Sequence, residues 1–105
     1  TSDRLIKENP LLVRRTLKAL LKSHLYILEN RQETIQTLIK WLPQPLDIAE
    51  HSYDSELKTL SRDGTMTDAE VEAIIARVGE KKRPLDEVRD FSFAHQAMKE
   101  IEAGK

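Results

Sequence analysis

The sequence predicts an all-α fold, a compact array of four to five main helices in which a helical hairpin is followed by a helix-turn-helix. Two observations carry this. Five punctuation signals, Asn9-Pro10, Asn30-Arg31-Gln32-Glu33, Pro43-Gln44-Pro45, Thr67-Asp68-Ala69-Glu70 and Asp90-Phe91-Ser92, each stand just ahead of an apolar pattern of helical period. These patterns take up almost the whole chain, so no segment is left over for a strand. The expected helices run over 3–8, 10–29, 31–42, 46–60, 68–79 and 92–103, in a single helical domain or fragment spanning 1–105.

Thr1 or Ser2 can cap a short first turn, which ends before Asn9 because a residue preceding proline is pushed out of the helical region. Pro10 opens the longest helix. Its apolar stripe is Val13, Leu17, Leu20, Leu21, His24 and Leu28, with Leu25 beside it, while Arg14, Arg15, Lys18 and Lys22 fall on the other side. Asn30 ends that helix and is expected to cap the next, with Glu33 completing a capping box. Ile35, Leu38, Ile39 and Leu42 form the buried stripe there, and Trp41, just off the stripe, is expected to pack. So short a connection imposes a tight corner or an antiparallel hairpin.

Pro43 and Pro45 break the pattern, and Pro45 is well placed to begin a third long helix striped by Leu46, Ala49, Tyr53, Leu57 and Leu60. After Asp63-Gly64 comes a helix from Asp68 with Val71, Ile74, Ile75 and Val78 inward, stopped by Gly79. The basic trio Lys81-Lys82-Arg83 favours the negative end of that helix dipole and implies no nucleic-acid role. Pro84 to Val88 suggests a single turn. Ser92 or Asp90 then caps a last helix with Ala94, Ala97, Met98 and Ile101 on one face, anchored by Phe91 and Phe93.

At 105 residues and 39% hydrophobic, with only 5% aromatic, the chain supports one modest core of Leu, Ile and Val. The lack of cysteine excludes a disulfide framework and a thiolate metal site. A net charge of -1 gives no whole-chain attraction to nucleic acid or anionic membrane, and no apolar run approaches the ~20 residues of a membrane span. The basic early part and the acidic later part, with Glu70, Glu72, Asp86, Glu87 and Asp90, are able to attract each other, but solvated helix faces are the expected reading of such charges. The start at Thr1-Ser2-Asp3 reads as a cut from something longer.

Two constellations could carry chemistry. Thr59 to Glu70 fits a calcium-binding helix-loop-helix register, with Asp63 at position five, Gly64 at the sharp turn, Met66 at the apolar eighth position and Glu70 at twelve. Positions one and three are Thr59 and Ser61, so Asp63 and Glu70 supply only two carboxylates for a cation that takes six to eight oxygens. Glu70 also has a competing role as the capping-box partner of Thr67. His51 follows Asp47 by four residues and precedes Asp54 by three, a spacing that serves weak metal ligation or ordinary surface pairing. Nothing brings His24 or His95 to it. No nucleophile elbow, glycine-rich phosphate loop or Ser/His/Asp set can be read, so neither enzymatic activity nor a cofactor is expected.

Taken as one string, the segments Thr1 to Lys22 and Tyr26 to Ile35 resemble the C-terminal part of ABC-importer solute-binding proteins of the nitrate/sulfonate/taurine and thiamine-precursor type. The order of features is similar: a short turn, an Asn-Pro helix, an Asn-Arg/Pro-Glu helix, resembled here by Asn30-Arg31-Gln32-Glu33, and a Tyr-containing helix. A Ser-x-Asp-Gly turn follows at Ser61 to Gly64, then a closing Pro-Leu-Asp-x-Val-x-Asp-Phe-Ser at Pro84 to Ser92. Pro43-Gln44-Pro45 departs from that pattern.

The resemblance implies a fragment of a two-lobed α/β protein, located in the periplasm or otherwise outside the cytoplasm. Its cleft and hinge would lie upstream of Thr1, so no ligand-binding residue is carried over. The implied partners are the N-terminal part of the same parent and, through it, the membrane permease, with self-association of the segment when it is alone. Neither nucleic acid nor membrane insertion is implied. The rival expectation is a free-standing helical interaction module, and the third a degenerate calcium binder.

Overall fold

The computed structural model describes residues 1–79 and 83–104, which form seven helices and no strand. They are α1 (Asp3–Glu8), α2 (Pro10–Glu29), α3 (Arg31–Trp41), α4 (Leu46–Leu57), α5 (Asp68–Val78), α6 (Leu85–Val88) and α7 (Ser92–Glu102). The fold is therefore all-α.

Local chemistry accounts for most boundaries. Ser2 Oγ accepts from the Leu5 amide at 3.2 Å, and Asn9 serves two helices: its amide donates to the Leu5 carbonyl at the end of α1, and its Oδ1 accepts from Leu12 at the start of α2. Thr67 and Glu70 form a complete capping box on α5, which ends at Gly79 in the left-handed conformation, φ +76°. Pro84 to Val88 forms the expected single turn, α6.

Other boundaries depart from expectation. Asn30 makes no cap on α3: its Nδ2 turns back to the Tyr26 carbonyl at 2.9 Å, and the Glu33 carboxylate is taken by the Tyr26 hydroxyl instead of closing a box. Helix α3 stops at Trp41 because Pro43 drives Leu42 out of helical geometry, to φ -127° and ψ 82°. Helix α4 stops at Leu57, three residues early, where Thr59 donates both its amide and its hydroxyl to the Glu56 carbonyl and tightens the last turn. At α7 the cap position is Phe91, without a side-chain bond, while Asp90 Oδ1 accepts from the Ser92 amide one residue further in.

Burial divides into two clusters. In the first, α7 packs on α2 through Leu21, Ala94, Ala97 and Met98, with Leu25 and Ile101 at the margin. The alanines let the helices come close. Glu100 fastens the pair, accepting from Lys18 Nζ at 3.1 Å and facing Arg14 at 3.4 Å, which is an attraction between the basic early part and an acid of the later part. In the second cluster, Ile35 of α3 packs on Ala49 and Tyr53 of α4, with Ile27 and Ile39 around them. Tyr53 Oη donates to the Ile27 carbonyl at 2.6 Å, and Arg31 forks onto Asp54 at 2.9 and 3.0 Å.

These clusters do not merge into one core. The radius of gyration is 16.7 Å over extents of 43 × 38 × 22 Å, against about 13 Å for a close-packed domain of this length. Several expected stripe residues are consequently exposed: Leu20, Leu42, Leu46, Leu57, Leu60, Ile74 and Val78. Trp41 is 74% exposed and does not pack as expected; its position beside the stripe turns it to solvent, where Lys40 Nζ lies 5.9 Å from the ring centre.

Candidate functional site

A groove of about 660 Å³ runs between α1, α2 and the α6–α7 junction. Its apolar lining comes from Leu5 and Ile6 of α1, Leu12, Leu17 and Leu20 of α2, and Val88, Phe91 and Phe93 at the far wall. Helix periodicity explains the α2 contribution, since positions 12, 16 and 20 share one face. Gly64 lines the groove at φ +71°, and a Cβ there would stand 2.9 Å from Leu21 Cδ2. Glycine suits both the positive φ and this close approach, since any Cβ would have to displace the end of the Leu21 side chain.

The groove is acidic where it meets solvent: Asp3, Asp86, Glu87 and Asp90 line it alongside the single base Arg89. Arg89 is drawn away, donating through Nη2 to Asp68 and standing 5.6 Å over the Phe91 ring, while its buried Nε has no partner among the described residues. Asp90 is held below the usual carboxylate range by the Ser92 hydroxyl and amide that bond it. What this surface offers is shape, apolar contact area and negative charge.

The residues expected to hold calcium are engaged in bonds to their own loop. Asp63 Oδ1 accepts from Thr65 Oγ1 at 2.8 Å and from Thr65 N at 3.0 Å, and these two bonds depress its pKa. Glu70 Oε2 accepts from Thr67 N at 2.7 Å and Oγ1 at 2.8 Å, with the same effect. Both carboxylates bond their own loop. At the remaining expected positions, Thr59 bonds Glu56, and the Ser61 carbonyl accepts from His24 Nε2.

Asp54 is committed to Arg31, whose hydrogen bond lowers its pKa and raises that of the guanidinium, while His51 and Asp47 stand exposed. His95 is exposed and tilted against the Phe91 ring at 6.5 Å. Among the described residues, no group of three or more His, Cys, Asp or Glu could hold a metal ion. Of the basic trio, Lys81 and Lys82 lie outside the described residues, and Arg83 faces Glu87 at 3.9 Å. No described helix is long and apolar enough to cross a membrane.

The sequence reading missed the groove and two tethers: His24 to Ser61, which pins the α4–α5 loop on α2, and Tyr53 to Ile27, which pins α4 on α2. The only signal for either was a polar residue on or beside an apolar stripe. Comparison with protein-family models, curated proteins and solved structures finds no match to this chain.

Proposed function

We propose that the chain is the C-terminal helical part of an extracytoplasmic solute-binding protein serving an ABC importer, with a structural role and no complete ligand site of its own. The observation that carries this reading is the set of exposed apolar side chains on the α3–α4 pair and on α5. Trp41, Leu42, Leu46, Ile48, Ile74 and Val78 are all exposed, and no other described part of the chain covers them. Surface of this kind belongs against another structure. The resemblance in sequence supplies one, the α/β lobes of a parent protein, and its landmarks fall at helix boundaries: Asn9-Pro10 between α1 and α2, Gly64 in the α4–α5 turn, and Pro84 to Ser92 leading through α6 into α7.

In this reading the helices stiffen one lobe, so that closure around a solute is a rigid-body movement presented to the permease. Solute recognition then belongs to the rest of the parent. The test is the intact mass of the native protein in its source cell, with peptide sequencing across the region ahead of Thr1. A mass several-fold above 12.1 kDa, with α/β-patterned peptides upstream, is the expected result. A native chain beginning at Thr1 overturns it.

A second reading, a free-standing helical interaction module, is favoured by the acidic-rimmed groove between α1, α2 and α6. A native start at Thr1 together with capture of a defined partner selects it.

A further inference from the structure

The groove has walls of opposite character. On α2, Leu12, Thr16 and Leu20 line it, and one step round the helix Arg15, Ala19 and Lys22 form an exposed crest. Arg14 and Lys18, on the next face, are already held by Glu100, whereas Arg15 and Lys22 form no ion pair among the described residues. The opposite wall carries Asp86, Glu87 and Asp90 beside Arg89, which is turned to Asp68, with Glu87 also facing Arg83 at 3.9 Å and Asp3 at the α1 end. Within one copy the basic crest and the acidic wall stand on either side of an open apolar trough, and Leu12 and Leu20 remain exposed in it.

We propose that the occupant of this groove is a second copy of the chain, set by a two-fold axis along α2 so that each basic crest lies over the other copy's acidic wall. Charge complementarity argues for this occupant and orientation. Rotation about an axis parallel to α2 exchanges the two sides of the groove, so that Arg15 and Lys22 meet Asp86 and Glu87; an axis across α2 leaves like charges facing, which is repulsive. The contact is isologous, so each copy both gives a crest and receives one. It covers Leu12 and Leu20 of both. The pairing uses the α1, α2 and α6 face, apart from the exposed side chains of α3, α4 and α5 on which the proposed function rests, and stands or falls independently of that reading.

Sedimentation equilibrium of the 105-residue chain tests the pairing. The expected species is twice 12.1 kDa, weakening as salt is raised. R15E/K22E and D86K/E87K should each weaken the dimer at least about ten-fold. Mixed one to one they should restore it, because each variant's altered surface then complements the other's. A chain that stays monomeric to millimolar concentration, a dimer indifferent to both reversals, or a mixture no tighter than its components overturns the proposal. Should D86K/E87K lose helicity by circular dichroism, L20E replaces it: its exposed site leaves the fold intact, and an undiminished L20E dimer also overturns the proposal.

Discussion

Gly64 and Gly79 share a left-handed backbone, φ +71° and +76°, and differ in what surrounds them. A Cβ at Gly79 meets nothing within 4 Å, so Gly79→Ala should cost only the conformational penalty, about 1–2 kcal/mol. At Gly64 the same atom would stand 2.9 Å from Leu21 Cδ2 in the α2–α7 cluster. Gly64→Ala must add the displacement of Leu21 and should destabilise more than Gly79→Ala in urea unfolding; equal losses would show that the loop moves aside freely. Acid acts at the same scale. Hydrogen bonds hold the pKa values of Asp54, Asp63, Glu70 and Asp90 below their ordinary range. A carboxylate with a folded pKa below its unfolded value of about 4 contributes fully above that value and loses its contribution as pH falls through the folded one. The melting temperature should therefore hold level from neutrality to about pH 5 and decline below that, with a shallower decline in Glu70→Gln.

At the scale of the helix, chemistry confined to one turn was legible from the residues alone. Asn9-Pro10, the Thr67 to Glu70 box and the Gly79 stop each depend on neighbours within four positions, and each stands where the sequence placed it. The Asn30 box was not legible, because Tyr26 from the preceding turn competes for Glu33. Exposure of Trp41, Leu46 and Val78 was not legible either, since periodicity decides which residues share a face but not whether another element covers it. The groove needs α1 packed on α2 and the α6–α7 junction carried to the same side by α7, and no local pattern encodes that. Helix α5 is weakly held: whereas α3, also with one buried residue, packs on both α4 and α2, α5 buries only Val71, packs on the short α6 and is tied to Arg89 by Asp68. Its amides should exchange faster than those of α2. Arg89→Met removes the tie and should raise exchange in α5 while leaving the centre of α2 unchanged, as read by hydrogen exchange with mass spectrometry.

Two small cores meet in one helix, and this sets how the whole molecule should respond to damage. Leu21 and Leu25 of α2 belong to the α7 cluster, and Ile27, two residues on, belongs to the α3–α4 cluster. Tyr53 also hangs on the Ile27 carbonyl, so α4 uses the backbone of α2 as its anchor. The dependence runs one way: α3 and α4 need an ordered α2, whereas α7 packs on residues 21 and 25 and touches nothing in the α3–α4 cluster core. Ile35 is 1% exposed and Ala97 is fully buried, which makes them matched probes of the two cores. Ile35→Val should cost about 0.5–1.5 kcal/mol, lowering amide protection in α3 and α4 with α7 unaffected. Ala97→Val over-packs the α2–α7 contact at about 1–3 kcal/mol. It should lower protection in α7, in α2 and, through Ile27, in α3 and α4. Equal loss everywhere in both variants would mean that the chain unfolds as one cooperative unit despite its two clusters. Loss confined to α7 in Ala97→Val would mean that the α2 end bearing Ile27 is ordered by α3 and α4 alone, reversing the direction of dependence.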